Sequence, residues 1–206
     1  MLLYLIRHGR TDWNDERRIM GVGPMPLNDE GRRMVRQLAD ALSGDRIPLV
    51  YTSTVARAME TAEILAERWG ARIVEEPRLN ESNYERWVGR RYSELTDDPD
   101  FELYSSRPSA SNFSSEENML DVQKRALEAV ERIAREADGG VAAAVSHSDV
   151  IKPVVAHLLG MELDSMHRLS IANASSTLVA PDADKNRVRY LNFAPWKRWS
   201  GKDSGG

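Results

Sequence analysis

Leu2-Leu3-Tyr4-Leu5-Ile6-Arg7-His8-Gly9-Arg10-Thr11-Asp12 opens the chain, and the break between its apolar and polar halves decides the fold. Leu2 to Ile6 reads as a short strand buried on both faces. The polar half puts a cation, an imidazole and a glycine at the strand's carboxyl end, where ligands bind in open α/β sheets. Gly9 is expected to let a backbone N–H approach an anion, and His8 has the chemistry of a nucleophile. Val141-Ala142-Ala143-Ala144-Val145 is a second such run, and it ends in Ser146, His147, Ser148 and Asp149. If both strands are central and parallel, the two imidazoles share one crevice.

Between these runs, helix and strand signals alternate, which favours a largely parallel sheet flanked by helices. Asn28 is a candidate N-cap for an amphipathic helix over 29–43. A strand over 49–52 leads to a helix capped by Ser53 or Thr54 and stopped by Gly70, and a weaker strand over 72–75 follows. Residues 119–137 carry apolar residues at helical spacing, and Gly139-Gly140 ends that helix. Another helix is expected over 150–159, with Asp149 read as its cap. Late strands over 175–180 and 187–192 suggest a hairpin or a sheet edge. The segment 80–118 is irregular and is read as a partly helical excursion over the catalytic end. Residues 1–200 are expected to form one domain, and the Gly-rich 201–206 a disordered tail.

Composition narrows the function. The 206 residues include 41 % hydrophobic and 29 % charged side chains, as in an ordinary globular domain. A net charge of −4 argues against nucleic acid as the main partner. Cysteine is absent, which excludes disulfides, thiol catalysis and Cys-based metal sites. No apolar run reaches membrane-spanning length and no secretory signal precedes the first strand, so a cytoplasmic setting is expected. Asp97, Asp98 and Asp100 read as a solvated turn, not a metal site.

The polar residues at the strand ends fit phosphoryl transfer. A phosphate dianion needs dense positive charge, and Arg7 and Arg57 supply it bidentately at any working pH. At about 4 Å each unit charge pair is worth roughly 4 kcal/mol at an effective dielectric near 20. His8 needs a neutral nitrogen to attack phosphorus, and His147 suits a charged donor to the equatorial oxygens. N–H groups at Ser148 open a helix toward the anion. Glu81, in the loop after the third strand, would protonate the leaving alcohol and then activate water.

These pieces, in this order, resemble the histidine phosphatase superfamily, in its cofactor-dependent phosphoglycerate mutase branch. The matching residues are Arg7-His8-Gly9-Arg10-Thr11-Asp12-Trp13-Asn14, Gly21, Pro26-Leu27 with Gly31, Ser53-Thr54-Val55-Ala56-Arg57-Ala58 with Thr61-Ala62, Leu79-Asn80-Glu81 and Val145-Ser146-His147. The resemblance implies a three-layer α/β/α sandwich with a mostly parallel mixed sheet. It implies that His8 is phosphorylated, that Arg7, Asn14, Arg57 and His147 form the phosphate pocket, and that Glu81 donates the proton. Gly21 and Ser148 join the expected substrate contacts. No metal and no cofactor are expected.

Some positions depart from that pattern. Ser82 and Asn83 follow Glu81, where mutases of the branch carry arginine and further basic residues, although Arg86, Arg90 and Arg91 lie near. Tyr84-Glu85-Arg86-Trp87-Val88-Gly89 keeps the aromatics of the phosphatase motif but loses its first Gly and its Glu. The sequence therefore favours a phosphomonoesterase acting on a small phosphorylated metabolite through a phosphohistidine. A bisphosphoglycerate-dependent mutase is the alternative enzyme, and a non-catalytic anion-binding module the alternative of another class. A homodimer stays open. His157 is read as structural, His167 with Arg168 as an interface or surface pair, and Trp196 to Trp199 as an aromatic tail packed on the domain.

Overall fold

The structure is a computed structural model that describes residues 1–112, 114, 117–182 and 186–197. A six-stranded sheet runs through its centre in the order β3-β2-β4-β1-β5-β6. The strands are β1 (Leu2–Arg7), β2 (Leu49–Thr52), β3 (Arg72–Glu75), β4 (Val141–Ser146), β5 (Ser176–Ala180) and β6 (Arg187–Phe193). β3, β2, β4 and β1 are parallel, whereas β5 is antiparallel to both β1 and β6. The late hairpin therefore extends the sheet through β5.

The apolar runs work because both faces of the sheet are covered. Leu3 and Leu5 join one cluster with α5 (Met119–Glu136) and α6 (Ser148–Leu158), while Tyr4 and Ile6 join the other with α2 (Asp29–Ala41) and α3 (Ala56–Trp69). Alternate side chains of a strand point to opposite faces, so a strand between two helical layers must be apolar throughout. In β4 the three alanines are all fully buried, and their small side chains let both layers close on the sheet.

Helix starts follow local chemistry, with corrections. Asn28 caps α2 by accepting the Gly31 N–H, and Asn118 caps α5. Neither Ser53 nor Thr54 caps α3. Val55 holds the N-cap position with no side-chain bond, because the hydroxyl of Ser53 is drawn into the site described below. Asp149 does not cap α6 either, since His147 occupies that position. Gly9 also differs from its reading. Its N–H donates to Thr61 Oγ1 at 3.0 Å, so it is not free for an anion. A Cβ at Gly9 would lie 2.9 Å from both the Gly31 carbonyl and Val35, and one at Gly31 would lie 2.1 Å from the Arg10 carbonyl. The glycines let the loop after β1 lie against α2.

The excursion packs onto the core. The short α1 (Asp12–Asp15) precedes it, and α4 (Pro99–Ser106) lies within it among 3₁₀ turns. Trp87, Leu95, Tyr84 and Tyr104 are buried in the same cluster as β1 and α5, so this segment shares that core. Asp98 caps α4 and accepts from Trp87 Nε1 at 3.1 Å, a structural use for the acidic turn. His157 is exposed, contrary to a structural role in packing. Trp196 donates to the Ala174 carbonyl at 3.2 Å and packs on the α2–α3 cluster, while Arg198, Trp199 and 201–206 lie outside the described residues. No helix among the described residues is long and apolar enough to cross a membrane.

Candidate active site

The register of β1 with β4 builds the site. Arg7 pairs with Ser146, and the His8 N–H donates to the Ser146 carbonyl at 2.9 Å. The next residue of each strand therefore leaves the sheet at one place, and the rings of His8 and His147 lie 5.2 Å apart. Both are buried.

His8 Nδ1 lies 2.7 Å from the Gly9 carbonyl, which can only accept, so Nδ1 carries the proton and Nε2 a lone pair. Arg57 Nε donates to that Nε2 at 3.1 Å. Burial, and then the charges of Arg57 and Arg7, hold the His8 pKa well below the usual imidazole value. A neutral imidazole with its lone pair beside a guanidinium can attack an electrophile bound to that guanidinium.

Arg57 stands near the start of α3 and is fully buried. Its Nη2 donates to the Gly21 carbonyl at 2.8 Å and its Nη1 to that of Gly23 at 3.3 Å, while Glu81 Oε2 lies 3.7 Å away. Burial lowers its pKa to about 10, so it stays charged at neutral pH. Gly21 thus meets the site through its carbonyl, in a left-handed backbone with φ of 52°. Arg7 donates to the Ile171 carbonyl at 2.6 Å and leaves a buried Nε without a hydrogen bond. Asn14 Oδ1 accepts from Thr11 N–H at 3.1 Å and from Asn173 Nδ2 at 3.1 Å, so its amide N–H groups are what it can offer an anion.

His147 departs from its expected charge. Its Nε2 lies 2.9 Å from Ser53 Oγ, whose proton goes to Asn80 Oδ1 at 2.9 Å. With that hydroxyl proton spent, Nε2 is the donor and Nδ1 the acceptor in the neutral ring. Nδ1 is buried without a hydrogen bond, 3.7 Å from Glu81 Oε2. Burial first, then Arg57 and His8, push its pKa well below the imidazole range, so it is neutral here and not the charged donor the sequence suggested.

Glu81 faces both Arg57 and His147. Burial raises its pKa to about 7, and the negative charge of Asp149 adds to this, against the lowering by Arg57, the Ser82 N–H and Arg7. Arg125 of α5 braces its loop from behind, donating to the carbonyls of Arg78 at 2.8 Å and Asn80 at 2.6 Å. A carboxyl that titrates near neutrality can give a proton and take one back in one cycle. Glu85 and Glu94, the competing acids, do not line the cavity.

A cavity of about 650 Å³ opens from these residues, with Arg7, Asn14, Gly21, Glu81, Ser148 and Asn173 on its wall. Tyr84, Phe101, Tyr104 and His167 extend it well beyond the size of a phosphate. His167 therefore faces the cavity, whereas Arg168 is exposed. The family profile described as histidine phosphatase superfamily (branch 1) matches residues 3–194. The chain belongs to this superfamily. Within it, the chain is 30 % identical over 181 residues to a probable phosphoglycerate mutase GpmB of Serratia proteamaculans, covering 86 % of this chain and 83 % of that one. It is 25 % identical over 193 residues to phosphoserine phosphatase 1 of Hydrogenobacter thermophilus, covering 93 % and 92 %. The solved structure of Bacillus stearothermophilus YhfR superposes with a TM-score of 0.87 at 32 % identity, covering 93 % of this chain and 96 % of that one.

The sequence named His8, Arg7, Arg57, His147, Glu81, Asn14, Gly21 and Ser148, and all of them lie around the one crevice or its cavity. It missed Ser53 as partner of His147 and Asn80 as partner of Ser53, Asn173 as partner of Asn14, and the tyrosine contacts of Asp149. Asn80 sits beside Glu81 in the quoted motif, and that adjacency was the available signal. Asn173 had none. Arg86, Arg90 and Arg91 do not line the cavity; Arg86 pairs with Asp100 and Arg90 donates to the Glu94 carbonyl.

Proposed function

We propose that this histidine phosphatase is a phosphomonoesterase that hydrolyses a small phosphorylated metabolite through a phosphohistidine at His8. The observation that carries the reading is the lone pair of His8 Nε2 held against Arg57 Nε, with Glu81 across the same hollow. A bound phosphoryl group takes Arg57 over from His8 and frees that lone pair. Arg7 and Asn14 present the remaining donors, and the N–H groups at Ser148 face the same anion.

In the first step the Nε2 lone pair attacks phosphorus, the ester P–O bond breaks, and the Glu81 carboxyl gives its proton to the leaving oxygen. In the second, Glu81 as carboxylate takes a proton from water, the water oxygen attacks phosphorus, and the P–N bond returns its electrons to His8. Charge spread over three phosphoryl oxygens must be met by fixed cations and donors, which is the part of Arg7, Arg57 and His147. A dianion beside His147 Nδ1 favours protonation there, so the charged donor forms with the substrate bound.

Hydrolysis is favoured over mutase action by the use of the nearby arginines. Arg86 and Arg90 are engaged with the excursion itself, and the residue after Glu81 is a buried serine. Arg10, Arg17, Arg18 and Lys152 also line the cavity, but Arg10, Arg18 and Lys152 are paired with Asp15, Glu16 and Asp149, and Asp149 adds negative charge to the wall. The test is phosphate release across a panel of phosphorylated metabolites, with and without chelator, beside isomer interconversion with a bisphosphate primer. Release that survives chelation and disappears in His8→Ala supports the reading. Primer-dependent interconversion without net release, or binding of vanadate without turnover of any ester, overturns it.

A further inference from the structure

Asp149 is a largely buried carboxylate on the cavity wall for which the reaction above has no part. Its Oδ2 accepts from the Tyr84 hydroxyl at 2.5 Å and from the Tyr104 hydroxyl at 2.7 Å, and those hydroxyls lie 3.2 Å apart. Lys152 Nζ approaches Oδ1 at 3.4 Å. The carboxylate belongs to the first turn of α6, Tyr84 to the loop that carries Glu81, and Tyr104 to α4. One oxygen thus ties together the helix after His147, the Glu81 loop and the outer wall. Hydrogen bonds to an ionised acceptor are roughly twice as strong as neutral ones, which makes Asp149 a firm anchor.

We propose that Asp149 is a positioning residue for Glu81: it fastens the Glu81 loop and α4 to the start of α6 through two tyrosine hydroxyls, and stands as a fixed negative charge on the wall Glu81 shares. This rests on the phosphatase reading for its role, though not for its existence. The two carboxyls of this cavity are pushed apart. Burial alone would raise Asp149, but Lys152 and the two hydroxyls hold it well below the usual carboxylate range, while burial and the Asp149 charge raise Glu81. Such a split marks one carboxyl as the proton donor and the other as a permanent anion. The other titratable groups around Glu81 are Arg7 at the end of β1, Arg57 of α3, the neutral His147, and Arg125 of α5 on its backbone carbonyl, and Arg57 and Arg7 lower its pKa. Around Asp149 stand Tyr84, Tyr104, Lys152 and His167. Burial and the Asp149 charge push Tyr84 and Tyr104 upward, so both remain donors through the working pH range.

The deciding measurement is the titration of the Glu81 carboxyl by carbon-13 NMR of glutamate-labelled protein, assigned with Glu81→Gln, in wild type and Asp149→Asn. Asparagine keeps an oxygen for the tyrosines and removes the charge. Its expected effect is a fall in the Glu81 midpoint of about half a unit or more. On an alkyl phosphate ester, the alkaline limb of kcat/KM then moves to lower pH by the same amount, roughly a threefold loss above it. A p-nitrophenyl ester, whose leaving group needs little protonation, loses less. Asp149→Glu keeps the charge and is expected to keep the midpoint near that of wild type. If Asp149→Asn does not fold, Lys152→Met carries the test: removing the cation that offsets Asp149 must raise the Glu81 midpoint. A midpoint that does not move in folded Asp149→Asn, or an equal loss on both esters with no shift in the limb, overturns the proposal. A wild type that hydrolyses neither ester defeats the phosphatase reading instead, and the titration still decides the part of Asp149.

Discussion

Arg57→Met separates the two things a buried guanidinium can do. The arginine bonds to His8 Nε2 and to the carbonyls of Gly21 and Gly23, and faces Glu81 at 3.7 Å. Methionine fills much of the same volume and removes the charge. Hydrogen bonds to charged groups are each worth about 1.5–3 kcal/mol, so losing two donors to a transferring phosphoryl group costs about 3–6 kcal/mol. That corresponds to a loss of roughly 10²–10⁴ in kcat/KM. Stability should change far less. The two carbonyls lose donors at about 1–3 kcal/mol each, offset because no guanidinium has to be desolvated and because the methionine side chain packs as an apolar group. A net change within about 2 kcal/mol moves the melting temperature by about 4–8 °C at this chain length. The pH profile carries a further signature. Arg57 is a principal charge lowering the His8 pKa, so its loss lifts that pKa toward the imidazole value and moves the acid limb of activity upward. The assay is kcat/KM for a phosphate ester over pH 5–9, with melting followed in parallel. Activity within threefold of wild type, or an acid limb that stays put in a folded variant, would refute the reasoning.

Other expectations follow from the same contacts. Ser53→Ala removes the partner of His147 Nε2 and should cost about 1–2 kcal/mol of transition-state stabilisation, a loss of roughly 5–30-fold in kcat, with melting lowered by about 2–4 °C for each 1 kcal/mol that the unpaired buried groups cost; unchanged kcat would count against the assigned hydrogen bond. His8 and His147 have depressed pKa values, so the stability they contribute is lost as pH falls through the unfolded value near 6.5, whereas Glu81, raised to about 7, contributes stability that is lost as pH rises from its unfolded value toward 7. Glu81→Gln removes the opposing effect, so its melting temperature should fall more steeply than that of wild type between pH 7 and 5; a shallower fall contradicts these assignments. Saturating vanadate should raise the melting temperature of wild type and do so much less in Arg57→Met, as linkage requires of a ligand held by that side chain.

The sheet and its helices were legible because β1 and β4 are apolar on consecutive positions and the helices repeat their apolar residues at helical spacing. Strand adjacency was less accessible: β4 lies between β2 and β1, and only that neighbour relation turns two distant histidines into a pair. The caps of α3 and α6 were misread because Ser53, Thr54 and Asp149 are good local cap residues whose side chains are claimed across the fold, Ser53 by His147 and Asp149 by two tyrosines. Gly9 was read for an anion that its N–H does not face, since a local glycine signal cannot distinguish a ligand from a neighbouring helix so close that a Cβ on Gly9 would lie 2.9 Å from it. The neutral state of His147 depends on burial among cations from β1 and α3, which no local pattern carries.

Phosphorylation of the chain itself tests the centre of the account most directly. Wild-type protein mixed with a turned-over phosphate ester, quenched in alkali within the steady state and digested, should yield a peptide bearing a phosphate on His8, absent in His8→Ala and accumulating in Glu81→Gln with a p-nitrophenyl ester. Turnover with no phosphohistidine, or with the phosphate on any other residue, would contradict it.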